Sequence, residues 1–200
     1  MPHPRSSNES PVSPKPASAP TPLAAVDLQP TLEGDLVLLR PLREHDFEAL
    51  HAAANDPLIW EQHPQHDRWR REVFRTYFDG GIASRGAFAV IERATGRIIG
   101  STRFHGLDPG KREVEIGWTF LTRAHWGGRF NHEMKRLLLD HAFRFVDRVL
   151  FLVGPNNIRS QTAVERIGGV RSGTRRDDTG LESVVFVIDA AAWRARRADS

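Results

Sequence analysis

Trp126-Gly127-Gly128-Arg129-Phe130-Asn131-His132-Glu133 sets two glycines where a strand pattern hands over to a long helical pattern. A glycine-containing turn at a helix start bares backbone N–H groups at the positive end of the helix dipole. That arrangement binds anions, most often phosphate. Other chemistries find less support. His63, His66, His105, His125 and His132 are scattered, with no H-x-x-x-H pair on a helical pattern, so no metal site is expected. The chain has no cysteine, which removes disulfides, thiolate metal sites and a cysteine nucleophile.

A turn of this kind needs a folded frame, and the composition supplies one. The 200 residues, 40% apolar and 26% charged, suit a single domain with its own core. The net charge of +3 and the absence of a clustered basic helix argue against nucleic acid as a partner. No apolar run approaches the roughly 18 residues of a membrane span, and no signal peptide pattern opens the chain, so a cytoplasmic location without membrane contact is expected. Residues 1–24 hold seven of the thirteen prolines and little to bury. They are expected to form a disordered Pro/Ser-rich tail, with the folded domain over 25–200.

Hydrophobic spacing then gives the elements. A buried strand is expected over 35–40, and a helix follows from Glu44 or Asp46 with Phe47, Leu50 and Ala54 on one face. A second helix is expected from about Asp67 to the Gly80-Gly81 pair. Three meander strands follow, over 87–93, 97–107 and 113–122. After the glycine turn, Met134, Leu137, Leu138, His141, Ala142 and Phe145 mark one face of a helix of about five turns. Val149–Val153 is wholly apolar and suits a strand inside a sheet. A short helix over 159–167, strands near 170–175 and 181–188, and a helical stub around Trp193 complete the pattern. The fold class is α+β, with helices covering a mixed, mostly antiparallel sheet.

That order, with a phosphate-type turn after the third meander strand, resembles the GNAT acetyltransferase superfamily, and in particular its branch of ribosomal-protein alanine N-acetyltransferases. Glu115-Ile116-Gly117-Trp118 resembles that branch's E-I-G-aromatic strand. Trp126 to Glu133 falls where the family carries its acyl-CoA loop. Asn157-Ile158-Arg159-Ser160 through Glu165-Arg166-Ile167-Gly168 resembles N-x-x-S followed by a helix ending in E-K-x-G. The resemblance covers about residues 32–190. Three positions depart from it, the first being Asn131, where the loop's last small residue is usual. Arg129 stands where the loop's central glycine is usual, so Gly127 or Gly128 must supply any positive φ that the turn needs. Val164 stands where many members place a catalytic tyrosine, and the sole tyrosine, Tyr77, lies elsewhere.

The resemblance implies an N-acetyltransferase that moves an acetyl group from acetyl-CoA, as co-substrate, to a primary amine in a ternary complex. It implies that Trp126, Gly127, Gly128, Arg129, Phe130, Asn131 and His132 hold the CoA pyrophosphate, with Arg123 and Lys135 as further cations. Asn157 would hold the pantetheine arm or cap its own helix. Glu115 is the leading general base, acting through water and pointing away from Ile116 and Trp118, with Glu113 as the fallback. Ser160 is the candidate proton donor to the leaving thiolate. His63 and His66 fall in a segment that the resemblance places over the acceptor pocket. The acceptor is a small-molecule amine or a protein N-terminus, and a homodimer is one option for assembly. The alternative is a catalytically inactive CoA-binding module of the same fold.

Overall fold

A computed structural model describes residues 26–198. The reading of residues 1–24 as a tail lies outside the described residues. The chain builds one eight-stranded sheet in the order β1-β2-β3-β4-β5-β6-β8-β7. The strands are β1 (Leu32–Glu33), β2 (Val37–Pro41), β3 (Ala87–Glu92), β4 (Ile98–Asp108), β5 (Glu113–Leu121), β6 (Arg148–Val153), β7 (Val170–Arg176) and β8 (Glu182–Asp189). The helices are α1 (Phe47–Ala54), α2 (Pro57–Trp60), α3 (Arg71–Ser84), α4 (Arg129–Ala142), α5 (Ile158–Arg166) and α6 (Ala190–Ala198). Every neighbouring pair is antiparallel except β5 and β6, which run parallel. The expected α+β architecture is therefore the one formed.

Two cores sandwich the sheet. On one face Met134, Leu138 and Leu139 of α4 pack with Val114 and Ile116 of β5, Phe151 of β6 and Trp193 of α6. On the other, Phe47 and Leu50 of α1, Trp60 of α2 and Phe74 and Phe78 of α3 close over Ala89 and Phe120. Helix α4 ends at Ala142 rather than near Phe145, and its buried face includes Leu139 while Leu137 is half-buried.

Helix α3 differs most from expectation. It starts at Arg71 and runs through Gly80-Gly81 to Ser84, where Arg85 adopts a left-handed φ of 50°. Glycine weakens a helix interior by roughly 1 kcal/mol but does not end it when tertiary packing holds it. Here Gly81 makes a notch: a Cβ there would lie 3.3 Å from Nη2 of Arg103 on β4. Short β1 and α2 had no counterpart in the sequence pattern; both are at or below one turn or pair in length.

Two features of β5 shape the region after it. Its parallel ladder with β6 ends at Glu115↔Leu150, while β6 goes on pairing with β8 as far as Val153. Beyond Glu115 the edge of β5 that faces β6 is therefore unpaired, and the sheet splays. The second feature is a bulge. Between Ser101↔Phe120 and Arg103↔Gly117, one residue of β4 opposes two of β5, Trp118 and Thr119. Trp118 takes φ 50°, and the Tyr77 hydroxyl donates to its carbonyl at 2.6 Å. An extra residue reverses the alternation that follows it. Trp118 accordingly packs with the α1–α3 core instead of following Ile116, contrary to the simple alternation expected from sequence.

Candidate active site

At the head of α4, Gly127 carries the positive φ, 80°, and Arg129 is the first residue of the helix itself. Arginine at that position is therefore unstrained, since helical φ suits any residue. The first helical bond runs from His132 N–H to the Gly128 carbonyl at 3.1 Å. Among the described residues the N–H groups of Gly127, Gly128, Arg129, Phe130 and Asn131 bond to nothing. A Cβ built on Gly128 would meet no atom within 4 Å, so the space in front of these donors is open.

The side chains around the turn hold it in place. The Trp126 indole donates to the Leu121 carbonyl at 2.9 Å, and the Arg159 guanidinium lies 3.9 Å over its ring. Phe130 packs against the α4 core. Glu133, buried, accepts from the N–H groups of Asp35, Leu36 and Val37 at 2.8, 2.7 and 2.8 Å. Burial opposes its charge, but these three donors outweigh burial and leave its carboxyl below the usual range. Arg129 and His132 are exposed, Asn131 half-buried.

The two other expected phosphate cations are placed differently. Arg123 is paired with Asp56, the residue that caps α2. Lys135 points into the splay, donating to Thr119 Oγ1 at 2.9 Å and lying 5.0 Å over the Phe151 ring. Burial pushes its ammonium down to about 7. The bulge accounts for this contact, since it turns Thr119 to the α4 side.

Glu115 sits at the apex of the splay, where the β5–β6 ladder ends. Its carboxylate lies beside Gly117, whose absent Cβ would otherwise come within 2.7 Å of Oε1. Burial pushes Glu115 up to about 7, against the pull of Arg175, Arg103 and Lys135. No ion pair engages it among the described residues. Glu113, the fallback base of the sequence reading, is already engaged by basic side chains. It is buried and bound by Arg148 at 2.6 Å, with Lys111 at 3.9 Å.

On the β6 side of the splay, Asn157 caps α5 by accepting from the Ser160 N–H at 3.1 Å. Ser160 is then the third helical residue, half-buried, with its hydroxyl free of any bond among the described residues, Glu115 included. Val164 is buried in the core against Gly169. His63 packs edge-on to Trp60, 5.8 Å between centroids, while His66 is exposed. His125 is held between Thr122 and Glu92 and packs on Phe130. Among the described residues no three His, Asp or Glu side chains cluster as a metal site, and no helix is long and apolar enough to cross a membrane.

Sequence reasoning missed Arg68 and Arg103. Both are buried at the wall of a cleft of ≈ 420 Å³ between α3 and the β4–β5 pair, which Tyr77 and Trp118 also line. The Gly80-Gly81 pair carried the signal, as a notch in a helix.

A splayed sheet edge beside a helix start with free N–H groups defines the class of fold, and comparison with known families agrees. The acetyltransferase (GNAT) domain model matches residues 37–170, and the chain belongs to this family. An uncharacterized N-acetyltransferase, p20, of Bacillus licheniformis is 30% identical over 92 residues, 45% of this chain and 51% of the relative. The chain thus spans about half the length of the curated relative it matches. A GCN5-related N-acetyltransferase from Brucella melitensis shares the fold with a TM-score of 0.73, at 22% identity, covering 85% of this chain and 83% of that one. A T. thermophilus protein provisionally assigned as an acetyltransferase is 29% identical, with a TM-score of 0.69 over 84% of this chain and 94% of that one.

Proposed function

We propose that this protein transfers an acetyl group from acetyl-CoA to a primary amine, either on a small molecule or at a protein N-terminus. The observation that carries the proposal is the run of free N–H groups from Gly127 to Asn131, opening beside a strand edge that loses its partner at Glu115. Free N–H donors at the start of a fourteen-residue helix suit a pyrophosphate, and Arg129 is exposed there with no carboxylate partner among the described residues. The unpaired edge of β5 offers main-chain groups to an extended pantetheine arm. Trp126 and Asn157 serve this site by fixing the loop and the start of α5.

The amine nitrogen attacks the thioester carbonyl carbon, the C–S bond breaks, and the amine loses a proton while the thiolate gains one. Glu115, held near neutrality by burial, takes the amine proton through water. Ser160, its hydroxyl uncommitted, gives a proton to the leaving sulfur. An α-amine with pKa near 8 is about one-tenth neutral at pH 7, so it needs less from the base than a lysine side chain does. Positioning then carries much of the remainder.

Release of free thiol from acetyl-CoA, followed with a panel of small amines and N-terminal peptides, tests this directly. Turnover with at least one amine is expected. CoA binding without turnover on any amine would favour the inactive module instead, for which the buried Val164 is the supporting observation.

A further inference from the structure

Two guanidinium groups line the α3/β4–β5 cleft, and among the described residues no carboxylate forms an ion pair with either. Arg68 is 7% exposed and Arg103 is 6% exposed, and Nε of each is buried without a partner. Each guanidinium carbon lies over aromatic rings: Arg68 Cζ is 5.2 Å from the Trp60 centroid and 4.8 Å from that of Tyr77, and Arg103 Cζ is 4.7 Å from that of Trp118. The remaining contacts satisfy little. Arg103 reaches the Tyr77 carbonyl at 3.4 Å, and Arg68 donates to the Gln65 side chain. His63 Nε2 lies 3.3 Å from Arg68, but His63 Nδ1 accepts from the Gln65 N–H. A neutral ring so bonded carries its proton on Nε2 and cannot accept from arginine. Burial and the Arg68 charge hold His63 neutral, down to about 3. Asp67 and Glu115 are near enough to favour the charged guanidiniums, yet neither forms an ion pair with them. Glu72 is exposed at the rim.

Burying an unpaired cation costs several kcal/mol, and a bidentate oxyanion is the group that best offsets it. Arg103 lies directly opposite Gly117, so it is a diagonal cross-strand neighbour of Glu115, at about 7–8 Å. We infer that this cleft binds an anionic group, a carboxylate or a phosphate, carried by the acceptor itself, with Arg68 and Arg103 as its fork and the acceptor's amine directed toward Glu115. The inference rests on the acetyl-transfer reading for the amine end and on the cleft alone for the anion. It selects amines bearing a negative group and disfavours polycations.

The test compares ω-amino carboxylates, ω-aminoalkyl phosphonates and unsubstituted n-alkylamines of matched length, with spermidine as the polycation. One of the anionic series should exceed the alkylamines in kcat/KM by about 10–100-fold, as expected for hydrogen bonds to a charged group. Which series does so identifies the oxyanion. Arg68→Met and Arg103→Met should each erase most of that preference. Arg68→Lys and Arg103→Lys keep the charge but lose the fork, and should reduce it even if the methionine variants fail to fold. Equal kcat/KM for anionic and plain amines in the native protein would overturn the inference while leaving acetyl transfer intact. Butyrate and inorganic phosphate, titrated at constant ionic strength, give a readout independent of turnover, because Trp60 and Trp118 lie against the two guanidiniums. A saturable fluorescence change, lost in the variants, supports the anion site even if no amine is acetylated. No change with either ion, together with no turnover, defeats both proposals.

Discussion

Glu115 feels the charges of Arg175, Arg103 and Lys135 but forms an ion pair with no described residue, so burial governs its protonation and lifts it to about 7. A base must be deprotonated to accept a proton. Under the proposed mechanism kcat/KM should therefore rise as pH passes upward through about 7 and level off above it. Glu115→Gln should lower kcat by about 10²–10⁴ and remove that limb, leaving the limb of the acceptor amine near 8. A pH–rate profile of both proteins decides the matter. An unchanged limb in the variant would assign it to another group. Glu113 illustrates how little spacing alone could tell here. It shares a strand face with Glu115, but Arg148 across the parallel pair takes it up. Lys135 is a similar case, a helix lysine that the bulge at Trp118 draws inward to Thr119.

At the scale of the element, α4 performs two tasks with its first turn. Its free N–H groups face open space, and Glu133 ties the same turn to the start of β2. The two tasks separate experimentally. Gly128→Val adds bulk where no protein atom lies within 4 Å, so calorimetric titration should show CoA affinity falling by about tenfold or more, the value of one lost charge-assisted hydrogen bond. Normal CoA affinity in that variant would move the phosphate site elsewhere. Glu133→Ala instead strands three backbone donors and should lower the unfolding free energy by about 2–3 kcal/mol in urea denaturation. Gly34 belongs to this tie as well, since a Cβ there would fall 2.4 Å from the Glu133 carboxyl carbon. Helix α3 shows an element serving a site at a distance, with Gly81 making room for Arg103.

At the scale of the whole molecule, the splay between β5 and β6 is the organising feature. Lys135 occupies its interior, and the Arg159–Trp126 contact joins the chain segments beyond its two strands. If the pantetheine arm pairs with the free edge of β5, amide exchange over Gly117–Phe120 should slow on adding CoA. Val114 and Glu115, already paired with β6, should change little. Exchange that slows evenly along β5 would argue for general stabilisation instead. The order of elements was legible because each is written in local signals: the turns that bound β3 and β4, the apolar face of α4 and the glycine stop after α5 need no partner to be read. The glycine turn and the Asn157 cap were legible too, because capping and turn chemistry are local. The bulge was not, since it exists only as a mismatch of residue counts between two strands. The same holds for the end of the β5–β6 ladder, for the fate of Glu113 and Lys135, and for the pairing of Arg68 with Arg103 across one cleft. Sequence by itself determined the order of the longer elements and where the glycine turn and the Asn157 cap fall, because hydrogen bonding and side-chain periodicity within a few residues decide them, whereas β1, α2 and the end of α3 were left to packing. Tertiary structure alone decided which charges are buried, which are paired and which remain free, because desolvation and ion pairing depend on neighbours that only folding brings together.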